Sequence, residues 1–126
     1  MDEVRLNNIS HNGPGIWNLL HSCGINAVDD KTKNIFEYIV VIVRSRLKCD
    51  LCIMHFDNFL QTHPLKQYRN IISVKGTHIG YFQWSVELHN AVNTKLGKKL
   101  VSLPQAYHSY NTNISPICHS CGDLPY

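Results

Sequence analysis

Two cysteine pairs, Cys49/Cys52 and Cys118/Cys121, share the C-x-x-C spacing and leave Cys23 as the odd member of the five. This spacing brings two sulfurs within bonding reach. In the first turn of a helix it also sets one thiol near the positive end of the dipole, which favours the thiolate that attacks disulfides. The same spacing serves a metal: Cys49, Cys52, Cys118 and Cys121 together would make a tetrahedral zinc site in an interaction or nucleic-acid-binding module. Thioredoxin-like reduction would need a βαβ unit around the pair, and none surrounds it. The cysteines by themselves leave redox work and metal binding both open.

Helices must position such a pair, and the apolar spacing predicts them. Gly13-Pro14-Gly15 punctuates the chain before a first helix from Ile16 to about Cys23, with Trp17, Leu20 and His21 on an inward face and Gly24 at its end. Asp29-Asp30 caps a second helix, Lys31 to about Leu47, in which Ile35, Ile39, Ile42 and Val43 recur at helical spacing. The β-branched run 39–43 also suits a strand, but uninterrupted periodicity favours helix. A third helix starts at or just before Cys49 and stops at His63-Pro64, so its first turn carries the first pair. Residues 64–80 read as a surface connection with an irregular turn. A fourth helix, Tyr81 to Leu96, aligns Trp84, Leu88, Val92 and Lys95 and ends at Gly97; a short fifth follows Pro104.

Three segments carry more specific information than the cysteines: Gly13-Pro14-Gly15-Ile16-Trp17-Asn18-Leu19-Leu20-His21, Cys49-Asp50-Leu51-Cys52-Ile53-Met54-His55-Phe56, and the run from Trp84 to Lys98 that contains H-N-x-V-N-x-K-L-G-K. In order and spacing they resemble the Erv/ALR family of FAD-linked sulfhydryl oxidases, over residues 13 to about 99. The resemblance implies an all-α domain, a four-helix bundle plus a short fifth helix, with FAD held at its mouth; the helix count read from periodicity agrees. It implies FAD contacts from Gly13, Trp17, His21, Trp84, His89, Asn93, Lys95 and Lys98. Such contacts are sensible, since rings stack on flavin or adenine, asparagine offers a two-way hydrogen-bonding edge, and lysines neutralise a diphosphate.

The family mechanism sets Cys52 against the flavin as the charge-transfer thiolate and makes Cys49 the residue that exchanges with protein dithiols. Molecular oxygen is the final acceptor and gives hydrogen peroxide. The resemblance also implies a homodimer. His55 either approaches the flavin or only supports the third helix. Cys118 and Cys121, in a mobile tail over 111–126, match a shuttle pair found in many members; a local structural disulfide is the bland alternative. The chain departs from many cellular members, which carry Tyr-Pro before the pair and a long-range disulfide beginning just before the H-N motif. Here Leu47-Lys48 and Val86 stand instead, and C-x-x-C-x-x-H ends at His55, as in the short enzymes of large DNA viruses.

Bland readings stand beside these. Trp17 and Trp84 taken singly are core aromatics, and His21 and His89 are satisfied helix histidines. Lys99 is a solvated helix end, and Cys23 is a small buried hydrophobe. At 126 residues, 44% hydrophobic and 17% charged, the chain suits one ordered domain, 13–110, after a polar segment 1–12. A dispersed net charge of +3 does not call for nucleic acid. The apolar run 38–43 is far shorter than the ~20 residues a membrane span needs. The N-terminus has no signal-like pattern, so a cytoplasmic site of action is expected, in a host cytoplasm or virion if the protein is viral.

Overall fold

The computed structural model describes residues 13–111, and within them the fold is all-α. Helix α1 spans Gly13–Ile25, α2 Asp30–Arg46, α3 Asp50–Thr62, α4 Leu65–Tyr68, α5 Gly80–Leu96 and α6 Leu103–Asn111. The remaining pairing among the described residues is an isolated antiparallel bridge between Ile72 and His78. No helix among the described residues is long and apolar enough to cross a membrane.

Local chemistry explains most boundaries. Asp29 and Thr32 cap α2 reciprocally: the Thr32 amide donates to Asp29 Oδ1 at 2.8 Å and the Asp29 amide to Thr32 Oγ1 at 3.1 Å. Proline at 64 forbids continuation of α3. Gly97 closes α5 in the left-handed region, at φ 70°, which an L side chain adopts only with strain. Ser102 and Gln105 repeat the reciprocal cap at the start of α6.

Helix α5 is the axis of the bundle. Its buried side chains include Tyr81, Trp84 and Leu88, which join Trp17 and Leu20 from α1, Phe36 and Val40 from α2, and Phe56 and Phe59 from α3. A smaller cluster, Phe82, Val86 and Ala106, seals α6 against the far side of α5. Helices α1 and α5 meet backbone to backbone at Gly24. A Cβ there would stand 3.0 Å from Phe82 Cα, so this glycine serves packing inside α1 and does not end the helix as its position suggested.

Three further expectations are corrected. The buried stripe of α2 is Phe36, Val40 and Val43, with Lys33, whereas Ile35 is exposed and Ile39 and Ile42 are half-buried. The middle of α2, 38–43, is apolar on every side, so spacing alone does not choose a face. Phe36 decides it by stacking on Tyr81 with ring centres 4.8 Å apart. The connection 64–80 is also more than surface. Tyr68 is buried and donates its hydroxyl to Glu87 Oε1 at 2.8 Å, and Gly80 lies directly under the Tyr68 carbonyl. Cys23, expected to be buried, is half-buried and packs on the core; burial raises its thiol pKa.

Candidate active site

Cys49 is the N-cap of α3, with extended backbone, and its sulfur accepts the Cys52 amide at 3.0 Å. Cys49 and Cys52 are joined as a disulfide. The two sulfurs differ in access: Cys49 is half-buried, whereas Cys52 is only 2% exposed and forms part of a cavity wall. Within the first turn of a helix, the dipole favours negative charge on either sulfur once the bond opens.

That cavity, of about 260 Å³, lies where α1, α2, α3 and α5 converge. Ile16, Trp17 and Leu20 form one wall, Leu88, Ala91 and Val92 another, and Val43, Leu47, Phe56 and Phe59 close the apolar interior. From α3, Cys52, His55, Phe56, Phe59 and Thr62 all reach it, because intervals of three, four, seven and ten residues fall on one helix face. The polar lining comes from His55, Asn58, Thr62 and Lys95.

Beneath Trp17 lies a stack of rings. Trp17 and His89 are nearly parallel, with centres 4.0 Å apart and planes 9° apart, and His21 lies edge to edge with His89, ring centres 5.2 Å apart. His21 Nε2 is 2.9 Å from His89 Nδ1, and its Nδ1 is 2.8 Å from Ser85 Oγ. Burial, helped by the charge of His89, pushes the His21 pKa down to about 2. Burial and then the Lys98 ammonium push that of His89 down to about 3. Both rings are therefore neutral around pH 7.

The structure brings Trp17, Cys52, His55 and Lys95 to the cavity surface and sets His89 and His21 side by side behind Trp17, with ring centres 4.0 and 6.0 Å from the indole. It places Trp84 elsewhere. That indole is fully buried in the aromatic core, has Phe36, Phe56 and Phe59 edge-on, and donates to the His63 carbonyl at 2.8 Å. Asn93 is buried with its amide 3.5 Å from the Lys99 carbonyl, and its own carbonyl takes the Lys98 amide at 2.8 Å. Lys95 and Lys98 are exposed at the end of α5, and Gly13 is the first residue of α1. Asn90, beside His89, holds both the amide and the carbonyl of Val101, at 3.1 and 2.8 Å. Cys118 and Cys121 lie outside the described residues. Sequence reasoning missed Ser85 and the apolar walls; the stripe running from Cys52 was the signal available for the latter.

Comparison with known proteins agrees with this architecture. The Erv1 / Alr family matches residues 14–111. An FAD-linked sulfhydryl oxidase of African swine fever virus (isolate Pig/Kenya/KEN-50/1950) is 28% identical over 108 residues, covering 82% of this chain and 83% of that protein. A probable FAD-linked sulfhydryl oxidase of Acanthamoeba polyphaga mimivirus is 26% identical over 70 residues, covering 56% of this chain and 46% of the viral protein. FAD-linked sulfhydryl oxidase ERV1 of Oryza sativa is 26% identical over 91 residues, 70% of this chain and 43% of the plant protein. The chain thus spans less than half the length of the mimivirus and rice relatives. No solved structure matches it significantly.

Proposed function

The chain belongs to the Erv1 / Alr family, and from that premise we propose that it is an FAD-dependent thiol oxidase that makes disulfide bonds in proteins through Cys49 and Cys52. One observation carries the reading: the Cys52 sulfur stands in the wall of an apolar cavity faced by Trp17, while its disulfide partner Cys49 is the more accessible of the two. The residues suit the cofactor. Apolar walls and an indole accept a tricyclic ring, and Lys95 at the cavity, with the exposed Lys98 three residues on, can meet a diphosphate. Bound there, FAD supplies the two-electron acceptor that links thiol oxidation to reduction of oxygen to hydrogen peroxide.

The protein's own residues account for the exchange. A substrate thiolate attacks Cys49 Sγ, a mixed disulfide forms, and the Cys49–Cys52 bond breaks with Cys52 leaving as thiolate. A second substrate thiolate then attacks the substrate sulfur of that mixed disulfide and expels Cys49. The substrate gains a disulfide, and the pair in the protein becomes a dithiol. The Cys52 amide, which already donates to Cys49 Sγ, steadies the charge on that leaving sulfur. Trp17 would bound the ring site, His89 and His21 would hold Trp17 in place, and Trp84 with Asn93 would fix the helices behind them.

Measurement of oxygen consumption with a small dithiol tests the assignment. Cys49→Ser and Cys52→Ser are each expected to lose turnover by at least about a hundredfold while retaining FAD. Undiminished consumption by either variant would defeat it. The zinc alternative requires four thiolates, and two of its ligands are joined to each other as a disulfide.

Two further parts belong to the same proposal. Pairing into a homodimer is supported by the exposed apolar side chains Ile35, Tyr38 and Val41 on α2. The second pair, Cys118 and Cys121, would act as an electron shuttle. Replacing both with serine should slow oxidation of a large protein substrate more than that of a small dithiol; equal effects on the two would remove the shuttle role. Action in a cytoplasm or virion agrees with viral relatives that carry the oxidase name.

A further inference from the structure

Ser85 is fully buried in α5, one turn before His89, and its hydroxyl fixes the direction of a chain of hydrogen bonds. The Phe82 carbonyl can only accept, so the single hydroxyl proton of Ser85, at 2.6 Å, is committed there. Nδ1 of His21 lies 2.8 Å from the same hydroxyl oxygen and must therefore carry the proton between them. A neutral imidazole has one N–H, which leaves a lone pair on His21 Nε2. At 2.9 Å that lone pair accepts from His89 Nδ1, so the second ring also has its proton on Nδ1 and its lone pair on Nε2. Burial keeps both rings neutral, so no second proton disturbs the order.

We propose that Ser85 is a positioning residue: through His21 it sets His89 in the Nδ1–H tautomer, making His89 Nε2 a hydrogen-bond acceptor and fixing the ring on which Trp17 stacks. Any group that meets this edge of His89 must then be a donor, either the ammonium of Lys98, whose charge bears on His89, or an N–H or O–H of a bound ligand. The stacking of Trp17 on His89 at 4.0 Å passes the same constraint to the cavity wall. The consequence for cofactor retention rests on the FAD reading; the tautomers do not.

Long-range proton–nitrogen NMR correlation on the ¹⁵N-labelled protein, purified with FAD supplied, reads the tautomers directly. In the wild type, His21 and His89 are both expected to show a protonated Nδ1 and a bare Nε2. Ser85→Ala frees the chain to reverse, so the Nε2–H form should become populated, whereas Ser85→Thr, which keeps the hydroxyl, should preserve the wild-type pattern. Flavin release should be about tenfold faster from Ser85→Ala, the effect of one mis-set hydrogen bond. An Nε2–H signal from either histidine in the wild type overturns the proposal even where the variants fail to fold, as do unchanged tautomers in folded Ser85→Ala. A wild type that shows Nδ1–H on both rings yet holds no flavin counts against the FAD reading and leaves the tautomer chain standing.

Discussion

The histidines behind Trp17 show how much a residue's role depends on what surrounds it. His21 and His89 were visible in the sequence as motif members, but nothing in their spacing said that Ser85 would bond one of them or that burial would keep both uncharged. Those properties come from packing α1 against α5, which brings residues 64 and 68 positions apart in sequence into hydrogen-bonding contact. Trp84 carries the opposite lesson. Its motif suggested a ligand contact, yet its ring serves the aromatic core, because a fully enclosed indole with its N–H bonded to the His63 carbonyl has no face left for the cavity.

A pH dependence follows from the same histidines. Their pKa values lie below the ordinary 6.5 in the folded protein, at about 2 and about 3. Below 6.5 the unfolded chain therefore binds protons that the folded chain refuses. Stability from this source is complete above that pH and declines as pH falls toward the folded values, by about 1.4 kcal/mol per histidine per unit. Urea titrations at about pH 7 and about pH 5 check this, and the midpoint should fall clearly at the lower pH. Equal midpoints would mean that the two rings are already charged or exposed.

At the scale of elements, the sequence was most informative where one local device decided the outcome: the Asp29 cap, Pro64 and Gly97 each ended or started a helix as their chemistry requires. It was least informative for α2, where apolar residues on several faces left the choice to Phe36 and its partner Tyr81. Gly80 belongs with the harder cases. A Cβ built on it stands 1.6 Å from the Tyr68 carbonyl oxygen, so no side-chain movement can relieve the clash. Gly80→Ala should destabilise the protein by more than about 3 kcal/mol, beyond ordinary overpacking. Gly15→Ala, where a Cβ meets open space, should be neutral or slightly stabilising. Thermal unfolding of both variants measures the difference, and a Gly80→Ala melting curve close to wild type would contradict the packing of α4 beneath α5.

For the whole molecule, the bundle does one thing that none of its helices does alone. Four of them leave an apolar cavity at their convergence and bring the inner sulfur of a disulfide into its wall, while the outer cysteine is the more exposed of the two. The sequence located the pair and the helices, and resemblance supplied the cofactor. The cavity itself was hidden, since its lining is drawn from residues such as Val43, Leu88 and Phe59 that any core would contain. The visible absorption spectrum of the purified protein tests this account most directly. An oxidised flavin band, with one FAD per chain released on denaturation, is the predicted result; colourless protein that takes up no FAD when it is supplied would contradict it.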